Sequence, residues 1–208
     1  MIGTLLTAFR FVLHPISETE AAFTRRKNIL WISLSLVALL FLSNIIQVQY
    51  TGRNFSFHKP GTLNIFYSFS GTVLLFALFA AGNWCVSTLM GGKGAFRDIW
   101  ITGAFSLQPM VYSAFACTIL SRLLSRTESV LLEWISLAGI IWAFALLLIS
   151  FMALHHYTLG KTILTFVLTA FAMLIIVFFI MMFLTLMQHL YSFAVTVYSE
   201  LRFRKVQF

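Results

Sequence analysis

Five long stretches of this chain contain no charged side chain. They run from Asn28 to Gly52, Pro60 to Gly92, Ile99 to Ser121, Trp134 to Gly160 and Thr162 to Ser199, or 25, 33, 23, 27 and 38 residues. A helix needs about 20 mostly apolar residues to cross a hydrocarbon core of about 30 Å. Each stretch is therefore long enough to span, and the spacing predicts helices over about 29–49, 64–89, 99–121, 134–157 and 162–188. Strands of a membrane barrel would alternate over about 10 residues, and nothing here alternates. The expected fold class is an all-α integral membrane protein, a five-transmembrane-helix bundle. Composition agrees: 60% of residues are hydrophobic and 10% charged, where a soluble domain carries about 25% charged residues. A soluble globular domain and a disordered chain are both excluded.

The ends need separate treatment. In residues 1–27, Ile2, Leu5, Leu6, Phe9, Val12 and Leu13 recur at helical spacing before Pro15. This reads as an interfacial amphipathic helix followed by a basic juxtamembrane segment. It lacks a basic leader and a small-residue cleavage site, so it is expected to be retained. The membrane domain is placed at 28–190. The last uncharged run would reach about 57 Å as a helix, too long for one crossing. Polarity enters at Gln188-His189-Leu190-Tyr191, where the helix is expected to leave the membrane and continue as an interfacial basic segment over 191–208.

Fourteen Lys and Arg oppose six Asp and Glu, for a net charge of +8. The bases sit at the ends of apolar runs, where they set topology and meet lipid headgroups. Nucleic acid is not an expected partner; membrane lipid is. One side of the membrane would carry Arg10, Arg25, Arg26, Lys27, Lys93, Arg97 and Lys161. The other would carry Arg53, Lys59, Arg122, Arg126, Arg202, Arg204 and Lys205. The count ties, and the dense Arg25-Arg26-Lys27 cluster before the first span breaks it. The expectation is an N-terminus inside and a C-terminus outside. Cys85 and Cys117 fall near opposite membrane faces, which rules out a bridge needing Cα atoms within about 7 Å.

Two loops on one face concentrate polar chemistry. Gly91-Gly92-Lys93-Gly94, with Arg97 and Asp98, reads either as a headgroup cradle anchored by Lys93 and Arg97 or as a tight turn with Asp98 capping the next helix. It lacks P-loop spacing. His155-His156-Tyr157 and Lys161 read as the wet end of a span. Adjacent histidines do not share a helix face, so no metal and no other cofactor is expected. Together with Arg25, Arg26 and Lys27 these loops make a basic face for an anionic lipid or an acidic partner.

Inside the spans, the candidate polar or kink residues are Asn83, Gln108, Pro109 and Gln188. Pro109 should kink its helix. These residues could line a polar path at the midplane or join helices by hydrogen bonds. No Asp, Glu, Lys or Arg lies within a span, which argues against ion coupling. No nucleophile–base set can be assembled, so no catalytic residue and no enzyme is expected.

Asn83-Trp84, then Gly91-Gly92-Lys93-Gly94 with Phe96 and Asp98, then Ser106 and Pro109, resemble the signature of the Yip domain family, the Ypt/Rab-interacting polytopic membrane proteins. His155 and Tyr157, followed by Lys161, are similar to that family's His-x-Tyr and later Lys, and Leu13-His14-Pro15 with Phe23 is similar to the short bacterial N-terminus. The resemblance implies five spans with a cytosolic N-terminus. Eukaryotic members bind prenylated small GTPases and act in ER–Golgi traffic through a longer N-terminal region. The short lead here argues against small-GTPase binding and points to a bacterial member in the cytoplasmic membrane. The expected function is a non-enzymatic accessory or scaffold that binds another membrane protein, such as a transporter complex, through its basic face, or that forms a homo-oligomer. The alternatives are a small permease or channel component and a lipid-binding or membrane-shaping protein.

Overall fold

The computed structural model describes residues 26–51, 64–124 and 128–206. Among them every regular element is helical, and five helices are long and apolar enough to cross a membrane. The helices are α1 (Arg26–Tyr50), α2 (Ile65–Leu89), α3 (Phe96–Leu120), α4 (Ser129–His155) and α5 (Leu159–Val206). The expected amphipathic helix, with Arg25, lies outside the described residues.

Helix α3 is the centre of the bundle. Residues 101–106 are all buried. Ile29, Leu30, Ile32 and Leu36 of α1 pack on Ile101 and Phe105, so α1 and α3 start at the same end. Phe79, Phe151 and Phe166 join α2, α4 and α5, with ring centroids 5.4–5.9 Å apart in edge geometry. Lipid solvates apolar side chains as well as the protein does, so close backbone approach and interhelical hydrogen bonds hold such a bundle together. Gly139 of α4 shows this, lying against Ser113 and the Pro109 carbonyl of α3.

Two helices depart from α geometry. Pro109 has no N–H for the Phe105 carbonyl. As expected, α3 breaks, into Phe96–Ser106 and Gln108–Leu120 around Leu107. Helix α2 contains a π-turn at Ser70–Leu74, which sequence periodicity gave no reason to expect.

Span ends differ slightly from the sequence reading. Helix α3 begins at Phe96 instead of 99, because Asp98 sits inside its first turn and accepts the Ala95 N–H at 3.2 Å. Helix α4 stops at His155, because His156 turns left-handed at φ 54° and takes Tyr157 out of the helix. Helix α5 runs unbroken through Gln188–Tyr191 for 48 residues. It packs on α2 through Thr165 and Thr169. Residues 177–198 are exposed on every side, so this part of α5 packs against no other described element.

Candidate functional site

The two polar loops meet at one end of the bundle, here called the turn face. Met90 caps α2, and Gly91 follows at φ 73°, a left-handed conformation that glycine adopts without steric cost. The Gly92 N–H then donates to the Ser87 carbonyl at 2.7 Å. The Gly94 N–H reaches Nδ1 of His155 at 3.4 Å. Past Ala95 the chain enters α3.

The end of α4 closes over this turn. His155 is buried, and Tyr157 stacks against it with centroids 5.2 Å apart and planes 25° off parallel. The Tyr157 hydroxyl points at the Ser87 carbonyl, 3.5 Å away. Burial pushes this hydroxyl above its ordinary pKa, so it stays a neutral donor. A Cβ on Gly92 would lie 2.7 Å from both His155 Nδ1 and the Tyr157 oxygen. A Cβ on Gly94 would lie 2.9 Å from His155 Cε1. Gly91 is thus needed for turning, and the glycines at 92 and 94 for close approach.

Lys161 completes the clamp from α5. Its ammonium donates to the Met90 carbonyl at 3.0 Å and lies 4.0 Å from the centre of the Tyr157 ring. A cation at the C-terminal end of α2 also meets the negative end of that helix dipole. Lys161 is therefore turned inward, whereas Lys93 is exposed and Arg97 half-buried. Nη2 of Arg97 and Nε2 of His155 are buried with no hydrogen-bond partner. Arg26 and Lys27 begin α1 at this same end.

Residues spread from Ser87 to Lys161 thus form one assembly. The profile of the Yip1 domain matches residues 9–197. The chain belongs to the Yip1 domain family. The match is to the family as a whole and does not bear out a bacterial branch. A search of curated proteins found no match, and a search of solved structures found none.

In this Yip1-family chain the intramembrane polar residues stand apart from one another. Asn83 is fully buried and donates from Nδ2 to the Thr169 hydroxyl at 3.2 Å. Gln108 is buried and its Oε1 accepts from the Tyr112 hydroxyl at 3.1 Å. Pro109 packs against α4, and Gln188 is exposed on α5. Among the described residues no group of three or more His, Cys, Asp or Glu side chains could hold a metal ion.

Sequence reasoning missed the polar seam between α2 and α5. Thr162, Thr165 and Thr169 are each at most 2% exposed, and Thr165 reaches Met90 Sδ at 3.3 Å. Their spacing of three and four residues marks one helix face, and that spacing was the available signal. Ser87, whose carbonyl accepts from Gly92 and faces the Tyr157 hydroxyl, left no such trace.

Proposed function

We propose that this protein is a non-enzymatic membrane scaffold that binds an acidic segment of another membrane protein at its turn face. The observation that carries the reading is the clamped glycine turn. His155 at the end of α4, Tyr157 in the loop after it and Lys161 of α5 fix the backbone between Met90 and Ala95. Lys93 projects outward from that fixed backbone. A charge on a rigid loop loses little conformational freedom when a partner binds, which favours affinity. Lys161 is already engaged, so the free cations among the described side chains of the face are Lys93 and Arg97, and α1 begins with Arg26 and Lys27 at the same end. In this reading the turn face is cytoplasmic.

The test places a photo-crosslinking residue at Ala95 in native membranes and repeats it with Lys93→Glu. The expected result is one stoichiometric protein adduct that Lys93→Glu abolishes while the fold, read by thermal melting, is retained. Adducts with lipid alone, or a protein adduct unchanged by charge reversal, overturn the reading.

The permease alternative gains no support from the polar residues. Asn83 and Gln108 are engaged with Thr169 and Tyr112, and neither they nor Pro109 lines the cavity described next.

A further inference from the structure

A cavity of about 410 Å³ lies toward the end of the bundle opposite the turn face. Its size falls in the range of about 300–1,000 Å³ typical of small-ligand sites. Both helix irregularities converge on it. Gly71 and Thr72 from the π-turn line one wall, and Leu107, where α3 breaks, lines another. Single π-turns inside α-helices occur often at functional sites.

The lining is graded. Asn44 and Gln47 of α1 stand at its outer end, about 9 and 4.5 Å along the helix from Tyr50. Leu147 and Phe79 line its inner end, about 12 and 15 Å along their helices from the turn face. The outer end is therefore polar at the depth of the membrane interface, and the inner end is apolar near mid-membrane. No charged side chain lines it. Asn44 and Gly71 are exposed, so the cavity opens between α1 and α2.

The polar end is under-satisfied. Among the described residues, the side-chain amides of Asn44 and Gln47 and the Thr72 hydroxyl have no hydrogen-bond partner. At the edge of the hydrocarbon such groups need polar partners, from water or from an occupant. An occupant that supplies carbonyl or hydroxyl oxygens there, and carbon below, would satisfy both ends.

We propose that this cavity binds one glycerolipid, its acyl chain running inward past Phe76 to Leu147 and its ester oxygens against Asn44, Gln47 and Thr72. The uncharged lining places any phosphate outside the cavity, so a diacylglycerol and a phospholipid share the chemistry that is recognised. The site lies away from the basic face and stands or falls independently of it.

The test reconstitutes the full chain in vesicles with phosphatidylglycerol, or in a second arm diacylglycerol, carrying a photoreactive diazirine in one acyl chain. Adducts are mapped by peptide mass spectrometry. The expected result is labelling concentrated on residues 40–47 and 71–79, above that of the exposed residues 177–188 of α5. Labelling by both probes assigns the phosphate to the exterior, and labelling by diacylglycerol alone identifies the neutral lipid. Ala114→Phe, which fills the cavity, should remove the labelling. Where that variant fails to fold, Asn44→Leu with Gln47→Met and Thr72→Val removes the polar end without adding polar groups to a span, and should also remove it. Labelling spread evenly over all exposed helix faces, or unchanged in the variant that folds, overturns the proposal. Rapid reaction of a Thr72→Cys thiol with a membrane-impermeant maleimide, without lipid labelling, would mark a water-filled path and overturn it too.

Discussion

The Lys161 ammonium lies 3.0 Å from the Met90 carbonyl and 4.0 Å from the centre of the Tyr157 ring. One side chain thus ties the end of α2 to the chain between α4 and α5. A charged hydrogen bond contributes about 1.5–3 kcal/mol, and the cation–π contact about 0.5–1 kcal/mol where solvent reaches it. Lys161 is half-buried, so Lys161→Met should cost about 2 kcal/mol. The readout is the apparent melting temperature in detergent micelles. An unchanged value would show that Lys161 is not a clamp.

Gly92 and Gly160 offer a matched pair. A Cβ on Gly92 meets His155, Tyr157 and the Ser87 carbonyl at 2.7–3.0 Å, whereas a Cβ on Gly160 meets nothing within 4 Å. Overpacking costs about 1–3 kcal/mol, and alanine in a helix gains at most about 1 kcal/mol over glycine. Gly92→Ala should therefore destabilise while Gly160→Ala is neutral or slightly stabilising. The same melting experiment decides, and equal behaviour of the two variants would refute the close packing of the turn.

The membrane fold was legible because its signal is long and redundant. Thirty-eight uncharged residues before Glu200 leave little choice of environment. Pro109 announced the break in α3 through a missing donor. The π-turn left no comparable sign, since an extra residue per turn in Ser70–Leu74 is set by packing rather than by one residue type. At the site, the sequence identified Lys93 and Lys161 alike as basic loop residues. Only the contact with Met90 separates the inward Lys161 from the outward Lys93. The Asn44 and Gln47 amides lie inside an apolar run and were not singled out, because their significance depends on a cavity formed with α2 and α3.

Asn83 and Thr169 form a buried hydrogen bond of 3.2 Å across α2 and α5. Interhelical hydrogen bonds in membranes average about 0.6 kcal/mol. Asn83 Oδ1 has no partner, so removing the whole amide also relieves an unsatisfied acceptor. A double-mutant cycle of Asn83→Leu and Thr169→Val should give a coupling of about 0.6 kcal/mol, with the double variant less destabilised than the sum. Strict additivity would show that the two side chains do not act together.

His155 and His156 are adjacent in sequence and opposite in role. His155 is buried, accepts from Gly94 and stacks on Tyr157. His156 is exposed and holds φ 54° at the end of α4. A left-handed conformation costs a non-glycine residue about 1–2 kcal/mol. Glycine avoids that cost but has more unfolded-state freedom to lose, worth about 0.4–1 kcal/mol. The difference favours glycine, so His156→Gly should stabilise by about 0.5 kcal/mol or more. His155→Ala removes a hydrogen-bond acceptor and a stacked ring, and should destabilise and loosen the glycine turn. Hydrogen exchange at the Gly92 and Gly94 amides separates the two cases. Faster exchange in His155→Ala with unchanged exchange in His156→Gly is expected. Faster exchange in both would mean that the left-handed turn at His156, rather than the His155 ring, holds the loop.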